Sequence, residues 1–182
     1  MAGEQRTSSF KVGLDVPWVT AWSSELDAKP EWRLCEYAGA VALWRPESQG
    51  VGQPMFKAIH EVRQRRAATH MLCQMCGKRT PSHDRWMFGK GGWLDSPDGA
   101  GKFWCTEDPP VHRACGNVAS ERCPFLKHSG KRMIAFPKVY TLRPAYNPDN
   151  SGRVLMLLTV PAREFSLKHF IDDLPPGHVV AP

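Results

Sequence analysis

The chain has 182 residues, of which 42% are apolar and 23% are charged, and its formal net charge is +6. This composition fits a globular protein and argues against a coiled coil or a mainly disordered chain. Residues 1–49 hold 5 basic and 7 acidic residues, a net charge of −2, whereas residues 50–182 hold 19 and 11, a net charge of +8. The positive potential therefore belongs to the later part of the chain, where it would attract nucleic acid or another anionic partner.

The sequence predicts no membrane partner. The longest apolar run, residues 154–160, is far shorter than the roughly 20 residues of a membrane-spanning helix. Residues 1–9 lack the apolar stretch of a signal peptide, so we expect a cytoplasmic protein. In a reducing compartment, clustered cysteines bind metal or remain free thiols more often than they form disulfides.

The first 70 residues predict two segments. Residues 1–50 form an acidic segment of strands and loops, with short apolar runs at 10–14, 17–22 and 37–44. Residues 51–70 follow as a basic segment. Within it, Met55, Ile59 and Val62 recur at helical spacing, which predicts a basic amphipathic helix from Pro54 to about His70.

Residues 71–127 carry the strongest motif. The two-residue gap between Cys73 and Cys76 lets both thiolates reach one ion from a tight turn, a zinc knuckle. Gly77 can take the positive φ that such a turn commonly requires. Two aromatic stretches, 85–90 and 102–106, flank a glycine-rich loop and predict a β-hairpin with a long tip.

A helix with two further ligands is predicted after this hairpin. Asp108 can cap a helix whose first turn tolerates Pro109 and Pro110, and His112 and Cys115 then share one face near the helix start. Knuckle, hairpin and helix in this order are the architecture of a treble-clef zinc module. The proposed ligands of a closed structural Zn²⁺ site are Cys73, Cys76, His112 and Cys115.

Two alternatives to this ligand set stay open. Cys105 lies just before the predicted helix and could replace His112 as the fourth ligand. The cysteines could also be buried free thiols without metal, because Cys is a common core residue. Cys123 precedes Pro124 two turns after Cys115, and we expect it to pack at the helix end.

Basic residues around the module favour nucleic-acid binding. No Asp or Glu occurs from Arg122 to Pro148, which suits phosphate contact. Aromatic residues of the hairpin region, Trp86, Phe88, Trp93, Phe103 and Trp104, could stack on bases, although core positions are favoured for most of them. The candidate nucleic-acid-binding residues are Arg63, Arg65, Arg66, Lys78, Arg79, Lys127, Lys131 and Arg132. The alternative is a regulatory adaptor or inhibitor that binds a protein partner and has a structural zinc.

An enzyme is the less favoured interpretation. Ser82-His83-Asp84 lies roughly where an HNH-type nuclease on a treble-clef frame would have its catalytic His. That chemistry needs further His, Asn or Asp side chains on a divalent ion, and only Asn117 or His112 is available. His60-Glu61 begins like a metalloprotease motif, but Gln64 occupies the position of the second His.

Residues 128–182 predict a β-hairpin and a C-terminal tail. Residues 133–142 and 153–160 are expected to pair as antiparallel strands across a turn-rich loop, with Leu155, Leu157 and Leu158 in the core. Residues 163–170 would form a short helix. The overall prediction is an α+β fold in which the zinc module is part of one compact, β-rich domain.

Several stretches resemble a group of small uncharacterised proteins from actinobacteria and their phages. They are Val16-Pro-Trp-Val-Thr-Ala-Trp22-Ser-Ser-Glu25, Arg63-Gln-Arg-Arg66-Ala, Leu72-Cys-Gln-Met-Cys76-Gly, Pro109-Pro-Val-His112-Arg-Ala-Cys115 and Cys123-Pro-Phe-Leu126. The resemblance covers about residues 12–145. The group usually has a Cys at the position of His112, which gives two Cys-x-x-Cys pairs. The resemblance implies a metal site and a phage or mobile-element setting, and it implies no mechanism.

Overall fold

The computed structural model describes residues 8–89, 91–95, 102–129, 132–146 and 153–161, and it is a mixed α and β fold. None of the helices in these ranges is long and apolar enough to cross a membrane. The helices are α1 (Ser23–Asp27), α2 (Glu61–His70), α3 (Arg113–Arg122) and α4 (Pro124–Ser129). The strands are β1 (Thr20–Trp22), β2 (Glu31–Cys35), β3 (Ala40–Trp44), β4 (Pro54–Ile59), β5 (Trp86–Phe88), β6 (Gly92–Asp95), β7 (Lys102–Cys105), β8 (Met133–Ala135), β9 (Tyr140–Tyr146) and β10 (Val154–Pro161).

One four-stranded sheet joins the two ends of the described chain. Its strand order is β2-β3-β10-β9, in which β2 with β3 and β9 with β10 form antiparallel pairs. β10 runs parallel to β3 and is paired with it at Val154 and Ala42. The segments that the sequence separates at residues 50 and 128 therefore contribute to the same sheet.

Helix α2 lies against this sheet and is anchored to it by polar side chains. The Gln64 side-chain amide forms two hydrogen bonds with the Leu157 backbone, as a neighbouring strand would. Leu157 N donates to Oε1 at 3.0 Å, and Nε2 donates to Leu157 O at 2.7 Å. The buried Arg65 guanidinium donates to the carbonyl oxygens of Leu43 in β3 and Leu155 in β10. These bonds connect the two strands next to their single backbone pairing.

Arg63 of α2 faces the N-terminal segment instead. Its guanidinium donates to both carboxylate oxygens of Glu25 at 2.7 Å and to Thr20 O at 2.8 Å. Arg63 and Glu25 are both 0% exposed. The N-terminal segment is thus joined to α2 by a buried ion pair.

The predicted amphipathic helix from Pro54 is wrong in its first half. Residues 54–59 form β4, which pairs antiparallel with β1, and His60 N donates to Val19 O at 2.8 Å before α2 begins at Glu61. The apparent helical spacing of Met55 and Ile59 spans a strand. Tertiary pairing with β1 therefore overrides the local pattern.

The predicted hairpin between residues 85–90 and 102–106 is also wrong. β5 pairs with β8, where Trp86 is opposite Ala135 and Phe88 is opposite Met133. β7 pairs with the short strand β6 instead, with Trp93 opposite Trp104. Phe88 and Trp104 are buried, as predicted, whereas Trp93 is exposed.

Helix α3 begins later than predicted. Its N-cap is His112, and Asp108 does not cap it. Residues 109–111 are extended instead, because Pro110 O accepts a hydrogen bond from Gln74 N, and Val111 exchanges two backbone hydrogen bonds with Trp86.

The predicted C-terminal hairpin forms in a shifted position. β9 and β10 pair antiparallel from Val154 opposite Tyr146 to Pro161 opposite Tyr140. Leu157 is buried as predicted, whereas Leu155 and Leu158 are half-buried. The helix predicted at residues 163–170 lies outside the described residues.

Candidate metal centre

Four side chains converge where the knuckle meets the start of α3. The Sγ atoms of Cys73, Cys76 and Cys115 and a ring nitrogen of His112 all lie within 4.8 Å of one another. His112 Nδ1 lies 3.5 Å from Cys76 Sγ and 3.8 Å from Cys115 Sγ. Tetrahedral zinc with ordinary bond lengths needs S···N separations of about 3.6 Å. The predicted ligand set is therefore assembled with spacings close to those of a tetrahedral site.

The knuckle is a closed turn held by its own backbone. Cys73 N donates to Lys78 O at 2.7 Å, and Gly77 N donates to Cys73 O at 2.8 Å. Gly77 has a φ of 73°, as the sequence predicts. A Cβ at Gly77 would also lie 2.9 Å from ring atoms of Trp18. This turn therefore requires glycine both for its left-handed backbone and for its contact with Trp18.

The His112 ring is oriented by a second hydrogen bond. Its Nε2 lies 3.1 Å from the carbonyl oxygen of Arg79, which can only accept, so Nε2 carries the proton. Nδ1 then has a free lone pair facing the thiols. A carbonyl that fixes the tautomer of a ligand histidine in this way is the usual partner of a metal-bound imidazole.

The start of α3 is capped by Asp84, which lies 29 positions earlier in the sequence than Arg113. Asp84 Oδ1 accepts a hydrogen bond from Arg113 N at 2.9 Å and another from Trp86 Nε1 at 3.1 Å. Asp84 belongs to the 3₁₀ turn Ser82–Asp84 and thus performs the capping role that the sequence assigns to Asp108. Nothing in the local sequence identifies this contact, because it spans 29 positions.

The thiols lie in a partly apolar setting. Cys73 is buried in a hydrophobic cluster with Met75, Phe88 and Val111, and Cys115 packs against this cluster. Burial raises the pKa of the Cys73 thiol, and burial with the neighbouring Cys73 and Cys76 thiols raises the pKa of Cys115 to about 12. A bound cation would oppose this effect because it favours thiolates, so metal binding would release protons.

The other described cysteines lie apart from this cluster. Cys105, the alternative ligand, is in β7, where its Sγ lies 3.7 Å from Gly92 O across the hairpin. Burial and the nearby Glu107 raise the pKa of the Cys105 thiol. Cys123 is the C-cap of α3, at the helix end as predicted. The structure thus groups His112, and not Cys105, with the three remaining ligands.

The predicted nucleic-acid-binding residues separate into three sets by exposure, apart from one that lies outside the described residues. Arg63 and Arg65 are 0% and 1% exposed, so their assignment to a binding surface is wrong. Arg66 is half-buried and forms an ion pair with Glu47 at 2.5 Å. The candidates that the structure leaves exposed are Lys78, Arg79, Lys127 and Arg132, and Lys131 lies outside the described residues.

The two histidines considered for catalysis, His83 and His60, lie beside groups that have structural roles. His83 is exposed beside Asp84, whose carboxylate is engaged by Trp86 and Arg113. His60 is buried, with its Nε2 3.3 Å from Pro46 O. Within the described residues, neither histidine belongs to a group of side chains that could hold a metal ion.

Comparison with models of protein families gives no match, and neither the curated proteins nor the solved structures give a significant one. The similarity to actinobacterial and phage proteins stays a prediction.

Proposed function

We propose that the protein is a binding module built around one structural zinc ion. The observation that carries the proposal is the convergence of three thiols and the unprotonated Nδ1 of His112 at tetrahedral spacing. Thiolate and imidazole together are ligands typical of zinc, and four protein ligands leave no position for a reactive water. The bound ion would join the knuckle to the start of α3, in the order of a treble clef but without the predicted hairpin.

Metal analysis of the full-length protein tests the zinc centre. Protein purified without chelator should contain about one equivalent of zinc, and Cys76→Ser should lower this content and the thermal stability together. Cys35→Ser is the matched control, because Cys35 lies in β2 outside the cluster. Intact wild-type protein without zinc would contradict the proposal.

Nucleic acid is the partner that the charge distribution supports best. Lys78 is in the knuckle, Lys127 is in α4 and Arg132 precedes β8, and all three are exposed. The Arg113 guanidinium lies 4.9 Å from the centre of the Trp86 ring, so a cation and an aromatic face occur together beside the metal centre. With Arg63 and Arg65 buried, these two arginines of α2 do not contribute to the proposed surface.

Charge reversal tests this partner. The triple variant Lys78→Glu, Lys127→Glu, Arg132→Glu should bind fluorescent DNA and RNA oligonucleotides much more weakly than wild type, and with a smaller salt dependence. Each lost phosphate contact reduces the slope of log affinity against log salt by about 0.7–0.9. The control reverses Lys29 and Lys57, two exposed lysines outside the module. Equal losses in both variants would contradict a specific surface.

A protein partner is the second candidate, and one observation favours it. Leu34 is 81% exposed on β2 opposite Val41, which is 43% exposed on β3. Such a cross-strand apolar pair is suited to an adaptor contact. Binding of a polypeptide that is lost in Leu34→Asp and unaffected by salt would support this candidate over nucleic acid.

A further inference from the structure

A second feature of the described residues is an open cleft between the end of α2 and the segment that follows the knuckle. Its volume is about 400 Å³. It is lined by residues 69–72, by Arg79 and Arg85, and by Tyr140 at the start of β9. No Asp or Glu is among the described residues that line this cleft. We call it the α2–knuckle cleft.

Arg85 is held rigidly at this cleft. Its Nε donates to Thr80 Oγ1 at 3.1 Å, and one Nη donates to Thr80 O at 2.7 Å. Thr80 is itself buried, and its N and Oγ1 both donate to Met71 O. These bonds use two of the five donors of the guanidinium and fix its plane, so further N–H groups remain for a ligand.

The remaining polar side chains of the cleft have unused hydrogen-bonding capacity. The Thr69 hydroxyl is buried and has no partner among the described residues. The Arg79 side chain is exposed, and the contacts of Arg79 with other described residues are made by its backbone, at the Leu72 bridge and the His112 ring. The Tyr140 ring packs edge to face on Phe136 with centroids 5.3 Å apart, which fixes the direction of its hydroxyl.

The charge of the cleft is positive even though a helix ends there. The C-terminus of α2 contributes roughly −0.5 elementary charge. Part of this is offset, since Ala67 O accepts from Leu72 N at 2.9 Å. Arg79 and Arg85 contribute two full positive charges. Guanidinium groups beside free hydroxyls, without a carboxylate, are the donors that recognise a phosphate.

We infer that the α2–knuckle cleft binds a phosphate group between Arg79 and Arg85, with the Thr69 and Tyr140 hydroxyls as further donors. The phosphate could be a free anion, part of a nucleotide or part of a polynucleotide backbone. The inference goes beyond the proposed function, because it requires neither the zinc ion nor nucleic-acid binding.

Calorimetric titration of the full-length protein with potassium phosphate tests the cleft, with potassium chloride at equal ionic strength as reference. Arg79→Gln should weaken phosphate binding about tenfold or more, because a charge-assisted pair is lost. Tyr140→Phe should weaken it several-fold while keeping the ring on Phe136. Lys57→Gln removes the same charge from an exposed residue that does not line the cleft, and it should change the affinity less than about twofold.

The fold of each variant is checked by its melting temperature in chloride, which should match wild type for Arg79→Gln and Lys57→Gln because both residues are exposed. Wild-type protein that responds equally to phosphate and chloride would overturn the inference. Equal weakening by Arg79→Gln and Lys57→Gln would also overturn it.

Titrations with adenosine monophosphate and with a short oligonucleotide distinguish the sources of the phosphate. Tighter binding of one of them, still dependent on Arg79, identifies the source. If only the nucleic-acid proposal is wrong, phosphate binding stays Arg79-dependent while the oligonucleotide fails to bind. If only the cleft is wrong, the oligonucleotide binds and Arg79→Gln behaves like Lys57→Gln.

Discussion

Arg63 and Glu25 form a buried bidentate ion pair across 38 positions of sequence, with both N···O distances at 2.7 Å. The Glu25 carboxylate also accepts from Trp22 N at 2.8 Å and from Ser48 N at 2.9 Å. Four donors thus satisfy one buried carboxylate, which explains how an acidic residue is accommodated with no exposure. The pair joins α2 to the N-terminal segment and gives Arg63 a structural role.

We expect Arg63→Ala to destabilise the protein by about 3–5 kcal/mol, because it leaves the Glu25 charge buried without its partner. The free energy of unfolding from urea denaturation measures this loss. Arg33→Ala is the control, since the Arg33–Glu31 pair is half exposed and should contribute less than about 1 kcal/mol. A loss at Arg63 no larger than at Arg33 would show that the buried pair is not stabilising the fold.

Stability should fall with acid in two steps. Burial lowers the pKa of His60 below its ordinary 6.5, and the positive charge of Arg63 adds to the shift. Below about pH 6.5 the unfolded chain binds a proton at His60 that the folded chain does not bind. The free energy of unfolding therefore falls by at most about 1.4 kcal/mol per pH unit. Burial alone would raise the pKa of Glu25, but Arg63 lowers it below its ordinary 4.5. The stability that the Glu25 pair contributes is therefore complete above about pH 4.5 and is lost progressively as the pH falls from there toward the lowered pKa of the folded state.

Urea denaturation at several pH values checks the first step. His60→Gln should flatten the slope of unfolding free energy between about pH 7 and 5.5, because Gln does not titrate. His83→Gln is the matched control, since His83 is exposed. An unchanged slope in His60→Gln would assign the acid sensitivity to another group.

Substitutions at His112 test the fourth ligand. His112→Cys should keep about one equivalent of zinc, because a thiolate at the N-cap of α3 can complete the tetrahedron. His112→Ala should lose zinc to a mild chelator and destabilise the α3 region, whereas Cys105→Ser should keep it. Zinc content by elemental analysis after chelator dialysis is the measurement. Retention in His112→Ala with loss in Cys105→Ser would assign the ligand to Cys105.

Gly77→Ala should be more harmful than Gly39→Ala. Both glycines have a left-handed backbone, with φ of 73° and 61°, so both substitutions cost about 1–2 kcal/mol from backbone strain. Only the Gly77 methyl would meet Trp18, since nothing lies within 4 Å of a Cβ at Gly39. The difference between their unfolding free energies measures this contact. Equal values would mean that the indole moves aside without cost.

Asp84→Ala should destabilise the protein by about 1 kcal/mol, as expected for a lost helix cap, and Asp84→Asn should recover most of this. Denaturant titration of both variants measures the effect. A nuclease would respond differently, with phosphodiester cleavage abolished by both substitutions. Cleavage by wild type that disappears in Asp84→Asn would contradict the structural role of this carboxylate.

The ligand set could be predicted from sequence because its determinants are local. Cys73 and Cys76 share one turn, and His112 and Cys115 share one helix start, so spacing alone indicates two half-sites. Gly77 could be predicted for the same reason. The two half-sites come together if the chain between them returns to the knuckle.

The predictions that the structure contradicts concern contacts between distant segments of the chain. The run Arg63-Gln-Arg-Arg66 has the composition of a basic surface, and only the partners at Glu25, Leu43 and Leu157 make it interior. β5 lacks any local sign that β8, over 40 positions later, is its partner. Local patterns do not encode such pairings, and tertiary context decides them.

The position of β10 in the sheet determines the order in which the protein can fold. β10 is the last described strand in sequence, yet it lies between β3 and β9 and accepts the side chains of Gln64 and Arg65. Until residues 154–161 leave the ribosome, β3 lacks its neighbouring strand β10. The Gln64 and Arg65 side chains of α2 then lack the β10 carbonyl groups to which they donate. The complete sheet therefore assembles only after synthesis of β10, and a chain shortened before Val154 would lose both pairings of β10 and its hydrogen bonds to Gln64 and Arg65.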